Sequence, residues 1–122
     1  MALTTNENQS DFPSLIRQSD CNATADTDVL TGTTGRIYAI LLENVTGSPA
    51  NEFFKIYDAK APTVGTTDPI AVFRVRPSVN QLITSKTGIK INTALSTACV
   101  TTGGTAGTSN PSTTVKSTVM GS

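Results

Sequence analysis

The carboxylates of this chain are its first candidates for chemistry, because paired acids can bind Ca²⁺ or act in acid–base catalysis. Asp58 and Asp68 flank a loop rich in Gly and Pro, and Asp26 and Asp28 occur in the sequence TADTD. Turn geometry explains the first pair more simply, since Asp58 closes a predicted strand and Asp68 precedes Pro69. The second pair lacks the Gly and the distal Glu that complete a Ca²⁺-binding loop. The sequence therefore predicts no metal site.

Nucleophilic catalysis lacks its usual general base, because the chain contains no His. Ser and Thr are abundant, but there is no Gly-x-Ser-x-Gly sequence, and Cys99 has no His to activate it. The glycines in TTGGTAGT are not followed by Lys-Ser or Lys-Thr at the spacing of a phosphate-binding loop. We therefore expect a protein that is not an enzyme, with no catalytic residues and no cofactor.

Arg74 and Arg76 are the candidate partner-contact residues. Residues two apart share one face of a strand, so both arginines should point away from Phe73 and Val75. Two interpretations stay open. One is a solvated face, and the other is an intersubunit contact, because Arg is enriched at interfaces and binds carboxylates through two hydrogen bonds. The chain has nine basic and nine acidic residues, and this zero net charge predicts no nucleic-acid partner.

The two cysteines and the hydropathy of the chain bear on its compartment. The polar N-terminal residues do not resemble a secretory signal, so Cys21 and Cys99 are expected to be reduced, partly buried thiols, with a disulfide as the alternative. No apolar run approaches the roughly eighteen residues of a membrane span, so no membrane partner is predicted.

The elements that must position these residues are predicted to be strands. The chain has 122 residues, of which 22 are Thr, a β-branched residue that favours extended backbone. No window shows the apolar period of an amphipathic helix. About seven or eight short strands, separated by turn residues roughly every ten positions, predict an all-β, single-domain β-sandwich or barrel. Residues 1–11 are predicted to be a flexible N-terminal arm, and residues 12–122 the β-sandwich domain.

Residues 51–76 are predicted to form the centre of the fold, as a strand, a loop rich in Gly and Pro, and a second strand. The most hydrophobic run, residues 36–44, is typical of a strand buried on both faces, with a short buried helix as the alternative. The remaining predictions are an edge strand over 12–21, a short strand at 28–30, a strand over 79–84, a turn at 85–88, a strand over 89–100, a loop over 101–111 and a final strand over 112–120.

Residues 36–103 also carry a pattern of strand and turn residues. It comprises Arg36-Ile37-Tyr38, Glu43-Asn44, Phe54 to Ala59 (FKIYDA), Pro62, Val64-Gly65, Thr67-Asp68-Pro69-Ile70, Gly88-Ile89, Leu95-Ser96 and Val100 to Gly103 (VTTG). This pattern resembles small virion proteins of tailed bacteriophages. The resemblance implies a jelly-roll-like β-sandwich that serves as a head-decoration (cement) protein or as another accessory structural subunit.

The resemblance further implies a location in the virion, after assembly in the host cytoplasm. The expected partners are the major capsid protein or other virion proteins, together with further copies of the chain in a trimer or dimer. Each copy would bridge neighbouring capsid proteins and stabilise the shell. The N-terminal arm and the Thr-rich C-terminal strand are candidate contacts, because an extended terminus can add a strand to an exposed sheet edge.

Two alternative functions stay open. One is a neck, tail or fibre-associated structural subunit of the same fold. The other, from a different class, is a small carbohydrate-binding module, since such sites usually present aromatic rings for stacking. The chain contains no Trp, and Tyr38 and Tyr57, its amphipathic rings, both lie in apolar predicted strands.

Overall fold

The protein is built from β-strands, as the sequence predicts. The computed structural model describes residues 3–7, 14–28, 35–44, 52–76 and 79–121. These residues contain nine strands and no helix, and so no helix that could cross a membrane. The strands are β1 Leu3–Glu7, β2 Ser14–Gln18, β3 Asp26–Asp28, β4 Gly35–Asn44, β5 Glu52–Asp58, β6 Ala71–Val75, β7 Asn80–Ile91, β8 Leu95–Val100 and β9 Val115–Gly121.

The strands form two antiparallel sheets. The first sheet has the order β1-β2-β9-β4-β7, and the second has the order β3-β8-β5-β6. Four of the pairings are nested along the chain, since β2 pairs with β9, β3 with β8, β4 with β7, and β5 with β6. This is the connectivity of one long hairpin folded over on itself, which defines a jelly roll. The all-β fold and the β-sandwich prediction are confirmed.

The core lies between the two sheets and is filled by alternate residues of each strand. Ile40 and Leu42 on β4 belong to the same buried cluster as Phe54 and Ile56 on β5, and all four are at most 1% exposed. The prediction of a strand over 36–44 is confirmed, but the predicted burial on both faces is wrong, because Leu41 and Glu43 on the outer face are only half-buried. β4 is central because it pairs with β7 on one side and β9 on the other. The paired strands predicted within residues 51–76 are β5 and β6.

Cys21 and Cys99 both lie in this core as free thiols with no exposed surface. Their reduced state agrees with the sequence prediction, although they are fully rather than partly buried. The backbone N–H of Cys99 donates to the carbonyl of Asn22 at 2.8 Å. This bond ties the segment after β2 to β8, and it therefore links the two sheets.

The segment from residue 79 to residue 100 differs from the prediction. The predicted turn at 85–88 does not end the strand, because β7 continues from Asn80 to Ile91. Ile37 pairs with Ile89 and Ala39 pairs with Thr84, so residues 85–88 are an insertion opposite a single β4 residue. The predicted strand over 89–100 is instead divided between β7 and β8, because residues 92–94 form the turn between them.

The N-terminal segments also differ in detail. β2 lies within the predicted edge strand 12–21, but it is not an edge, since it pairs with β1 on one side and β9 on the other. Residues 3–7 of the predicted arm form β1, whereas residues 8–11 lie outside the described residues. The short strand predicted at 28–30 is observed as β3 at Asp26–Asp28, and residues 29–30 also lie outside the described part of the chain.

Candidate functional site

The outer face of the second sheet is covered by the chain itself. Its outward-facing residues on β5 and β8 include Lys55, Tyr57, Ala98 and Val100, and none has exposed surface. Two loops lie over this face, the β5–β6 loop (residues 59–70) and the β8–β9 loop (residues 101–114). We call it the covered face. The face is covered over β5 and β8, whereas at its β6 edge Val72 (36% exposed) and Arg74, the cross-strand partners of Lys55 and Phe53, reach solvent. Less apolar surface is therefore left for a partner over β5 and β8 than at this edge.

Lys55 anchors the β8–β9 loop to the covered face. Its Nζ donates to the carbonyl oxygens of Ala106, at 2.9 Å, and Thr105, at 3.4 Å. Burial lowers the pKa of the Lys55 amine, because a buried cation loses its hydration. The hydroxyl of Thr105 also donates to Oδ1 of Asp68 at 2.5 Å, which joins the two covering loops to each other.

Tyr57 lies on the same covered face and is fully buried. Its hydroxyl has no hydrogen-bond partner, and burial raises the pKa of the phenol. One of the two rings that the sequence offered for sugar stacking is therefore inside the protein. The other, Tyr38, is half-buried beside the β7 insertion, where its ring leaves no room for a Cβ at Gly88. Gly88 has a φ of 83°, which also favours glycine at this position.

Asp58 closes β5, as predicted, and has a structural role. Its carboxylate accepts hydrogen bonds from the backbone N–H groups of Asn92 (3.0 Å), Thr93 (2.7 Å) and Ala94 (3.3 Å). Burial by itself would raise the pKa of Asp58, but these N–H groups outweigh it and hold the pKa below its usual range. Asp58 thus fixes the turn that carries the chain from the first sheet to the second.

The structure gives Asp58 and Asp68 separate roles, while the side chains of Asp26 and Asp28 lie outside its description. Asp68 is exposed and bonds Thr105, whereas Asp58 bonds the β7–β8 turn. Among the side chains that the structure describes, no group of three or more His, Cys, Asp or Glu residues gathers in one place. The two acids serve separate loops, which agrees with the turn-based explanation of both.

Two buried polar clusters were missed by the sequence analysis. Oε1 of Gln18 accepts hydrogen bonds from Thr97 (2.9 Å) and Ser117 (3.3 Å), and this cluster spans the two sheets. The fully buried Glu52 accepts from the Thr113 hydroxyl at 2.7 Å and from Nδ2 of Asn44 at 3.3 Å. Both clusters satisfy polar groups inside the sandwich, which fits a role in the fold.

The outer face of the first sheet is different, and we call it the open face. Its centre is apolar: Leu82 on β7 pairs with Leu41 on β4, and Ala39 on β4 pairs with Met120 on β9. Leu82 is 63% exposed, and Leu41 and Met120 are half-buried. The outward-facing residues of the open face are Arg17, Arg36, Ala39, Leu41, Glu43, Asn80, Leu82, Thr84, Lys90, Lys116, Thr118 and Met120.

Basic side chains flank the apolar centre of the open face, and one of them, Lys116, is the cross-strand partner of Glu43. Arg17, Lys90 and Lys116 are exposed, and Glu43, on β4, is the carboxylate among the described outward side chains. Arg36 pairs with Lys90 across the sheet, and its Nη1 donates to the carbonyl of Thr87 at 3.2 Å. Although the whole chain is neutral, this face is positively charged.

Arg74 and Arg76 lie at the rim where β6 and β7 meet. Both are exposed and point away from Phe73 and Val75, which face the core, so the predicted alternation is observed. Gln81 of β7 bridges the edge of β6, since its side chain donates to the carbonyl of Arg74 (2.9 Å) and accepts from the N–H of Arg76 (3.1 Å). Whether the two arginines contact a partner stays a prediction.

A shallow depression of about 520 Å³ lies beside this rim. It is lined by Arg76, Val79, Asn80, Gln81, Leu82 and Ile83. Leu82 belongs both to the depression and to the open face, so the two surfaces are continuous. The candidate functional site is therefore the open face together with this rim.

No protein-family model, curated protein or solved structure matches the chain.

Proposed function

We propose that this protein is a structural virion subunit, a decoration (cement) protein that binds the outer surface of a bacteriophage capsid and stabilises the shell. The observation that carries the proposal is the contrast between the covered face and the open face. One side of the sandwich is covered by its own loops over β5 and β8, while the other presents Leu82, the most exposed large hydrophobic residue described, and an apolar centre flanked by Arg17, Lys90 and Lys116. Apolar centres with polar rims are typical of protein interfaces.

The mechanism of stabilisation is additive. A rigid sandwich contributes interface area to the capsid proteins beneath it, and each copy that spans two of them resists their separation. The jelly roll suits this role because its core and its covered face keep the sheets fixed, so that little order has to be gained on binding. The resemblance of residues 36–103 to phage accessory proteins supports the same function.

The test is binding of the purified full chain to isolated capsids of the same virus. We expect it to sediment with capsids at a saturable ratio and to raise the temperature at which they disrupt. Electron microscopy of the decorated particles then locates the subunit. Binding only to necks, tails or fibres would replace the decoration function with the accessory function elsewhere in the virion, and binding to no virion part would remove both.

A further inference from the structure

We propose that the open face docks onto an acidic protein surface with an apolar centre, and that the capsid supplies this surface. The inference rests on the proposed function and deepens it, because it assigns the attachment to one face and states the chemistry of the partner. It begins with the row across the sheet in which Leu82, Leu41, Thr118 and Arg17 are successive partners. One end of the row is apolar and the other is cationic.

The apolar part of this row costs free energy while it faces water. Leu82 is the most exposed large hydrophobic residue among those described, at 63%. On an ordinary strand, an outward position with no partner is filled by a polar residue, as in the neighbouring Thr84 and Asn80. A leucine here gains hydrophobic stabilisation only when another surface removes it from water.

Charge identifies the occupant. Arg17, Lys90 and Lys116 flank the apolar centre. Glu43, the single described carboxylate of this face, lies opposite Lys116, which leaves an excess of positive charge. A second copy that used the same face would bring these cations against each other, since a two-fold interface is made from identical patches. Like charges brought together disfavour such a dimer, whereas an acidic partner surface is attracted to the same cations.

The size of the open face suits a stable protein contact. β4 has ten residues, so it spans about 33 Å, and five strands at about 4.8 Å spacing span about 19 Å. The product is about 600 Å², close to the roughly 800 Å² that each partner buries in a standard interface. The adjoining rim at Arg76 and Val79 extends this surface.

Leu82→Asp tests the apolar centre, because it places a charge at the position where the capsid surface is expected to cover the leucine side chain. Ile70→Asp is the matched control, since Ile70 is a similarly exposed aliphatic residue (46%) that precedes β6 in the second sheet. We expect Leu82→Asp to weaken binding to isolated capsids at least tenfold. Ile70→Asp should leave binding within about twofold of the wild type.

The double substitution Arg17→Glu and Lys116→Glu tests the charge. Its control is Lys60→Glu, an exposed lysine in the β5–β6 loop over the covered face. We expect about tenfold weaker capsid binding at low salt, with the difference shrinking as salt rises toward about 0.5 M, because exposed charges are then screened. The control should bind as the wild type does.

Each outcome decides the inference. If the wild type binds capsids and the open-face variants bind equally well, the inference is wrong and the proposed function stands. If the wild type does not bind capsids, the proposed function fails and the docking assignment fails with it. Light scattering adds a third result: a wild-type oligomer that Leu82→Asp dissociates would show that a second copy covers this face, which also overturns the inference.

Discussion

The two outer faces of this sandwich are both built from antiparallel strands, but they differ in how far their side chains are buried. On the covered face, Lys55 and Tyr57 of β5 are fully buried under loops, and Lys55 is bonded to the carbonyls of Thr105 and Ala106. On the open face, Leu82 is 63% exposed and Lys116 reaches solvent. A lysine is thus buried on one side of the molecule while a leucine is exposed on the other.

This reversal shows that residue type alone does not say which face of a strand meets water. The amine of Lys55 is accepted inside because two carbonyls replace its water, and its aliphatic stem packs against the sheet. Leu82 is exposed because none of the described loops crosses the first sheet at that point. Among the described residues, β5 and β8 of the second sheet are therefore packed on both faces, whereas β4 and β7 of the first sheet have an exposed outer face. The following predictions test that difference.

The largest effect is expected from Lys55→Ala. The substitution removes a buried stem and leaves the carbonyls of Thr105 and Ala106 without their donor, so we expect a loss of about 3 kcal/mol in the free energy of unfolding. Urea denaturation measures it. The matched substitution Lys90→Ala on the open face should change stability by less than about 0.5 kcal/mol. Equal losses at the two positions would mean that the β8–β9 loop does not seal the covered face.

A smaller loss is expected from Asp58→Ala, which frees three backbone N–H groups of the β7–β8 turn. We expect about 1–2 kcal/mol at neutral pH, because hydrogen bonds to a charged acceptor are strong but this carboxylate is partly solvated. The pKa of Asp58 is lowered in the folded protein, so its stabilisation is present above the unfolded value of about 3.9 and is lost as the pH falls through the folded pKa.

Unfolding of wild type and Asp58→Ala at pH 7 and again near pH 2.5 checks both parts of this expectation. The stability difference between the two proteins should narrow at the lower pH. A difference that is constant with pH would show that the carboxylate charge does not hold the turn.

A third and smaller effect concerns alkaline pH and uses Lys55→Met, which keeps the stem but removes the amine. The folded pKa of Lys55 is lowered, so between that value and the unfolded pKa of about 10.4 the unfolded chain binds more protons than the folded one. The stability that Lys55 contributes should therefore rise with pH in this window. As the pH increases from about 8 to 10, the free energy of unfolding of the wild type should rise relative to that of Lys55→Met. Urea denaturation measures both proteins, and a wild-type advantage that falls with pH would contradict the burial of this amine.

The smallest effect on stability is expected at the centre of the open face. Leu82→Ser should change the free energy of unfolding by no more than about 0.5 kcal/mol, because most of the side chain is already in water. Phe54→Leu, in the core between the sheets, provides the contrast and should cost about 1 kcal/mol or more. Thermal denaturation of both variants measures this, and a large loss for Leu82→Ser would mean that the open face is packed in the folded chain.

The local pattern of residues predicts the all-β class and the two faces of individual strands. The alternation of Phe54 and Ile56 with Lys55 and Tyr57 predicts β5 and its two faces, and the exposed positions of Arg74 and Arg76 follow from the same period of two. The abundance of Thr and the lack of a helical period predict an all-β chain. These features were readable because neighbouring residues along a strand determine them.

The insertion at 85–88 was predicted to be a turn because Ser, Lys, Thr and Gly in succession are typical turn residues. They do form a local irregularity, and the side chain of Ser85 accepts from the N–H of Gly88 at 3.1 Å. The strand nevertheless continues, because β4 pairs with β7 on both sides of it. The continuity of β7 depends on its pairing with β4, which is distant along the chain, and the local sequence does not reveal that pairing.

The sequence by itself determined that this chain forms short strands and which residues alternate along them. It left open whether Cys21 and Cys99 are bonded, and the structure shows them as free thiols. The tertiary structure alone decided which sheet face receives the loops. Lys55 lies 51 positions from its acceptor Ala106, and Leu41 lies 41 positions from its cross-strand partner Leu82. The nested pairing of the jelly roll brings such distant segments together, so the burial of a lysine and the exposure of a leucine depend on contacts that no local pattern encodes.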